Sequence, residues 1–161
     1  MKIELLTRKS HQKLKDLITT VDQYLNNPEM LIVLTKEEIE NIFNNKNAMM
    51  YGLFENDELV SISGLFFDES DFYDIVKLLN IENTKVAEIA ECMTLPKARG
   101  NNYMLKINQV LLNRAKELGV DYLIATAHPD NISSNKSLTK LGMQCKGQFY
   151  RHKPIVYHLI V

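Results

Sequence analysis

VAEIAECMTLPKARGNNYMLKINQVLLNRAKELGVDYLIATA, residues 86–127, changes its hydrophobic period twice. The first part, within "KVAEIAECMTLP", is an apolar run of strand length closed by Pro96, which cannot donate to a sheet ladder. From about Asn102 to Leu118 the apolar positions Met104, Ile107, Leu111, Ala115 and Leu118 recur at helical spacing, and Gly119 supplies a stop. "DYLIATA" is nearly all apolar, as expected of a strand covered on both faces. Strand, loop, helix and strand make a right-handed crossover, so the two strands are expected to be parallel. The loop "PKARGNN" then lies at the carboxyl end of a strand and leads into a helix N-terminus. Backbone N–H groups there lack intrahelical partners and carry the positive end of the helix dipole, and Arg99 adds a permanent cation suited to diphosphate oxygens. The alternative reading is a capped helix, with Asn101 or Asn102 as cap and Arg99 solvated. No Walker lysine and no GxGxxG is present, which argues against nucleoside triphosphates and dinucleotides.

Outward from this unit, residues 2–6 alternate weakly as a short strand. Leu14, Leu17, Ile18, Val21 and Leu25 form a helical stripe from Ser10 to Leu25, ended by Asn26-Asn27-Pro28. Thr35 followed by Glu38 is a capping-box pattern for a second helix running to about Asn45. "MMYGLFENDELVSISGLFFDE" reads as two strands joined by a tight turn at residues 55–58. Phe72, Ile75, Val76 and Leu79 mark an inserted helix within 69–81. A short helix is expected from about Ile132 to Leu141, capped by Asp130 or Asn131 and stopped at Gly142. The chain finishes as a strand pair turning near His152-Lys153-Pro154. Helices alternating with strands, and hairpins at both ends of the pattern, give an α/β or α+β domain: a mixed sheet with helices on both faces.

With 161 residues the chain is read as one domain, residues 1–161, able to bury roughly two-thirds of its unfolded surface. A net charge of −1 gives no global attraction to nucleic acid or anionic membrane. Lys140, Lys146, Arg151 and Lys153 are read as a solvated edge. Cys92 and Cys145 match no metal spacing, no metal is expected, and two separate cysteines without an export signal or membrane span point to a reduced cytoplasm.

Two stretches in this order resemble the GNAT-type N-acetyltransferases. Arg99-Gly100-Asn101-Asn102-Tyr103-Met104 stands where that family has Arg or Gln, two residues, Gly, one residue, then Gly or Ala. Asn131, Ser134 and Lys140-Leu141-Gly142-Met143 match the family's downstream Asn, small residue and Lys-x-Gly ending. The element order agrees from roughly Met49 to Val161, with residues 1–48 in place of a variable N-terminal region. The resemblance implies a mostly antiparallel central sheet with a parallel strand–helix–strand unit, and acetyl-CoA as cofactor. Pantetheine would run beside Cys92, Met93 and Thr94, with the thioester carbonyl polarised by an N–H near Met93. The diphosphate would sit on Arg99 and the amides of Gly100, Asn101, Asn102, Tyr103, Met104 and Leu105, and Asn131 and Ser134 would lie near the pantetheine.

Three positions depart from the pattern. Asn102 replaces a glycine, tolerable because Asn adopts positive φ more easily than other side chains. Met104 replaces a small residue, with its side chain expected in the core. Leu138 stands where many members carry the tyrosine that protonates the departing thiolate; Tyr150, Ser137 and Tyr103 are possible substitutes. For the base, Glu88 and Glu91 interrupt an apolar strand, where carboxylates are costly unless paired or facing a cleft. Three apart, they face opposite sides of a regular strand, so one at most faces the site unless a bulge intervenes. His128 is either a proton relay or structural. The expected activity is acetyl transfer to a primary amine of a small molecule or amino-acid derivative, by a monomer or homodimer; the rival is a non-catalytic acyl-CoA-binding domain.

Overall fold

The computed structural model describes residues 1–161 apart from 32, 45, 151–153 and 161, with 154–160 described as backbone. The elements run β1 (Lys2–Leu5), α1 (His11–Gln23), α2 (Lys36–Asn44), β2 (Ala48–Glu55), β3 (Glu58–Phe66), α3 (Tyr73–Leu78), β4 (Val86–Thr94), α4 (Tyr103–Glu117), β5 (Tyr122–Ala127), α5 (Ile132–Lys140), β6 (Gln144–Tyr150) and β7 (Pro154–Ile160). The turn expected between β6 and β7, and the expected end of α2 at Asn45, lie outside the described residues.

Local chemistry accounts for most boundaries. The α1 stripe Leu14, Leu17, Ile18 and Val21 is buried. After it, the Asn27 side chain accepts from the Glu29 N–H and caps a one-turn helix begun by Pro28. The capping box forms in both directions: the Glu38 N–H donates to Thr35 Oγ1 at 3.2 Å, and the Thr35 N–H donates to Glu38 Oε2 at 2.6 Å. Asn56 and Asp57 both adopt positive φ (46° and 65°), the backbone a two-residue hairpin needs. The inserted helix is shorter than its stripe. Asp68 accepts from the Ser70 N–H and starts a separate turn at 69–71, so α3 covers six residues. Phe72, Ile75 and Val76 pack with Val86 and Ile124 in a small cluster apart from the main core.

The seven strands form one sheet in the order β1-β2-β3-β4-β5-β7-β6. Neighbours are antiparallel except β4 and β5, which the α4 crossover makes parallel. Every residue of β3 from Leu59 to Leu65 is buried; because alternate side chains face opposite sides, both faces of the sheet are covered there.

Strand β4 is irregular in two places. Ile62 of β3 lies opposite Met93, but Gly64 lies opposite Ala90, so Glu91 and Cys92 together oppose the single residue Ser63. This is a β-bulge, and Glu91 takes the left-handed conformation at φ 56°. The parallel pairing of β4 with β5 ends at Ile89 opposite Ala125, although β4 continues to Thr94 and β5 to Ala127. Beyond Ile89 the strands part, opening the sheet at their carboxyl ends.

Candidate active site

Two adjoining cavities occupy this opening. The larger, about 660 Å³, lies between the end of β4, the loop into α4, the start of α5 and the segment after α1. Cys92, Thr94, Arg99, Gly100, Asn101, Asn102, Tyr103, Met104, Leu105, Asn131 and Ser134, all named from the sequence for the cofactor, line it. Met93 does not. Its side chain is buried and its carbonyl accepts from Ser61 Oγ at 3.0 Å. The Leu95 N–H donates to the Val60 carbonyl, and two residues back Met93 faces Ile62. Strand alternation therefore turns the backbone groups of Met93 toward β3 and those of Thr94 toward the opening. The amide next to Met93 that faces the opening is that of Thr94.

The helix entry is not capped by a side chain. Asn102 sits at φ 57°, ψ 28° and makes no side-chain cap bond, while the Asn101 amide donates to the Ala98 carbonyl at 3.1 Å. The Lys106 N–H to Asn102 carbonyl bond, 3.1 Å, opens the α4 ladder, which leaves the N–H groups of residues 103–105 beside the cleft they line. Gly100 adopts φ 85°, and a Cβ there would meet no protein atom within 4 Å. Exposed Arg99, Lys136 and Lys140 line the same cleft. A concave row of amides with three cations fits a diphosphate-bearing ligand.

Met104 corrects one expectation: it is half-buried and lines the cleft, whereas the buried positions of α4 include Tyr103, Ile107, Asn108 and Leu111. Leu118 is likewise half-buried. The Tyr103 hydroxyl donates to Glu55 Oε1, tying the start of α4 to the end of β2.

The smaller cavity, about 490 Å³, lies between the parted strands and meets the cleft at Met30, Leu31, Cys92, Asn131 and Ser134. Glu88 and Glu91 both line it, because the bulge breaks the alternation that would have separated them. His128 and Leu138 line it too, buried at 6% and 3% exposure. His128 Nδ1 accepts from the Asp130 N–H at 3.1 Å, so the neutral ring carries its proton on Nε2. In that tautomer Nε2 cannot take a proton from a substrate, which argues against the relay role. Asn131, not Asp130, caps α5, accepting from the Ser134 N–H at 3.1 Å. Among the three alternatives to the tyrosine at position 138, Tyr150 is exposed and lines neither cavity, and the Tyr103 hydroxyl is engaged by Glu55. Ser137 lines the cleft, and its buried Oγ has no hydrogen-bond partner among the described residues.

Beneath Cys92 lies a polar network the reading of the sequence missed. Ser63 Oγ is 3.0 Å from Cys92 Sγ and donates to Asn108 Oδ1 at 2.6 Å; Ser61 Oγ is 2.7 Å from Thr94 Oγ1. The signal was present as two serines in the apolar "VSISG" and an asparagine within the α4 stripe. Burial pushes the Cys92 thiol up to about 11, against a smaller opposing pull from the Ser63 hydroxyl. At pH 7.5 its thiolate fraction is then on the order of 10⁻³ or less, so iodoacetamide should label exposed Cys145 long before Cys92. Because the folded value is raised, the stabilisation is complete below the thiol's ordinary value near 9 and is lost as pH rises through about 11. Urea unfolding at pH 8 and above pH 11 should show wild type losing about 3 kcal/mol more than Cys92→Ala. Equal losses would mean the thiol is not desolvated.

The family model for the acetyltransferase (GNAT) domain matches residues 10–144. The chain therefore belongs to the GNAT acetyltransferase family, which uses acetyl-CoA. Solved structures agree in fold. The N-acetyltransferase from Staphylococcus aureus Mu50 superposes with a TM-score of 0.76 at 16% identity, over 98% of this chain and 95% of that one. The GNAT-family acetyltransferase from Bacillus anthracis gives 0.70 at 21% identity, over 99% and 93%. RimL, described as a ribosomal L7/L12 alpha-N-protein acetyltransferase in complex with coenzyme A, gives 0.74 at 15% identity, over 100% and 94%. No curated protein sequence matches this one significantly. No helix among the described residues is long and apolar enough to cross a membrane, and those residues hold no cluster suited to a metal ion.

Proposed function

We propose that the chain binds acetyl-CoA in the larger cleft and acetylates a primary amine, of a small molecule or an amino-acid derivative, held in the smaller cavity. The observation that carries this reading is the parting of β4 and β5 beyond Ile89, which joins the two cavities beside an uncapped helix N-terminus. Bound acetyl-CoA supplies an acetyl thioester: a C–N bond forms, the C–S bond breaks, and the nitrogen's protons pass to a base and to the sulfur. The chain's own groups divide the rest. Arg99 and the amides of residues 100–105 hold the diphosphate, with Lys136 and Lys140 at the rim. The Thr94 backbone groups align the pantetheine and polarise the carbonyl. Glu91, with Glu88 further along the strand, takes the proton that frees the amine lone pair. Ser137 or water returns a proton to sulfur, a modest demand because a thiolate is already a tolerable leaving group.

Buried Leu138 in the acceptor cavity favours a second reading, an acyl-CoA-binding domain that does not turn over. Calorimetric titration with CoA and acetyl-CoA tests both; no heat at millimolar ligand would sink both. Thiol release from acetyl-CoA over a panel of amines separates them, a flat panel with intact binding favouring the binder. If protonation of sulfur limits the rate, Leu138→Tyr should raise turnover about tenfold.

A further inference from the structure

His128 presents a hydrogen-bond donor that no described residue accepts. The residue directly follows β5, is 6% exposed and lines the smaller cavity. Its backbone and its ring are both held. The His128 carbonyl accepts from the Asn131 N–H at 2.9 Å and from the Asn135 side-chain amide at 2.9 Å, and Nδ1 accepts from the Asp130 N–H at 3.1 Å. With Nδ1 an acceptor, the ring hydrogen sits on Nε2. Nε2 is buried and has no hydrogen-bond partner among the described residues; Glu29 Oε2 lies 3.6 Å away, beyond hydrogen-bond reach.

A fixed donor of this kind discriminates between ligands. Ile89, Ala125, Ala127 and Leu138 bring apolar side chains to the same cavity and no acceptor. Solvent that enters the cavity can serve Nε2, but a molecule that displaces this solvent must replace the bond or leave a buried N–H unpaired. An alkyl group would cover Nε2 without pairing it. A carbonyl-type oxygen pairs it and brings no proton of its own to place.

We infer that the acceptor is an amine bearing a carbonyl-type oxygen, as in an amino acid or its amide, and that His128 Nε2 donates to that oxygen. This rests on the acetyltransferase reading and narrows it, because simple alkylamines become poor substrates. His128 acts in binding and takes no proton in the reaction.

Three probes of one skeleton test it: 3-aminopropanamide, 3-aminopropanoate and their hydrocarbon isostere 3-methylbutylamine, compared by thiol release and by calorimetry on the CoA-bound protein. The better of the amide and the acid is expected to bind about tenfold more tightly than the isostere, in Kd and in KM, as a buried donor left unpaired implies. Which of the two is better assigns the oxygen to an amide or to a free acid. His128→Asn keeps an acceptor for the Asp130 N–H but does not reach the position of Nε2, so it should bring that ratio toward one. His128→Gln, which carries a donor that far, should retain it. A merely structural role would weaken all three amines alike, and comparing the ratio between variants cancels the amines' differing basicity. An isostere bound as tightly as the better of the other two, a ratio untouched by His128→Asn, or no binding of any probe at millimolar concentration overturns the proposal. If CoA and amine bind but no thiol is released, the acetyltransferase reading fails, and the calorimetric ratio alone decides whether His128 selects an oxygen.

Discussion

Glu91→Gln is expected to lower kcat for amine acetylation about a hundredfold, the lower range of general-base contributions, with CoA affinity unchanged. Glutamine keeps the size and hydrogen-bonding shape of the side chain and removes its capacity to take a proton. The expectation rests on the bulge, which sets Glu91 in the left-handed region at φ 56° where the strands part. A non-glycine residue held there costs about 1 kcal/mol or more. Glu91→Gly relieves that strain but loses roughly 0.5–1 kcal/mol to chain entropy, so its stability should stay within about 1 kcal/mol of wild type while turnover falls as in the glutamine variant. Steady-state kinetics and urea unfolding on the two variants separate function from fold. Glu88→Gln is the comparison, since Glu88 sits where β4 still pairs with β5. If Glu88→Gln carries the hundredfold loss and Glu91→Gln costs less than about threefold, Glu88 is the base.

The second large effect is at Gly100. A Cβ added there meets no protein atom within 4 Å, so Gly100→Ala creates no clash, yet φ 85° disfavours any side chain. The expected stability loss is about 1–2 kcal/mol, with no change in fold. The open space around that Cβ is the space assigned to the diphosphate, so CoA affinity should fall by roughly 10- to 100-fold as the methyl separates phosphate oxygens from the amides. Calorimetry with CoA, alongside a thermal melt, reads the two effects independently. A Kd within about twofold of wild type would move the diphosphate off this loop.

Much of this architecture was legible before any coordinates. The period changes around Pro96 and Gly119 gave the parallel unit, the Thr35–Glu38 box forms as expected, and eleven of the twelve residues expected to hold the cofactor line the cleft. The exception is informative. Met93 belongs to the same strand end as Cys92 and Thr94, but strand alternation turns its backbone to β3, and alternation phase depends on pairing register. Lys140 read as one charge on a solvated edge; it is exposed, and it also lines the cleft with Lys136, one turn away on α5. Glu29 and the segment after α1 could not be assigned to either cavity, because nothing in a loop's composition says which opening it will border.

The sequence by itself determined most of the elements, their order and the resemblance to the family, because these arise from periodicity, turn chemistry and short motifs along the chain; that no side chain caps the entry to α4 was decided by the structure. The tertiary structure alone decided that Glu88 and Glu91 share one cavity, that Leu138 is buried in it, and that His128 confronts Glu29 across it. Those facts depend on one extra residue opposite Ser63 and on where β4 and β5 stop pairing. A bulge is a property of two strands in register, and no single segment encodes its partner.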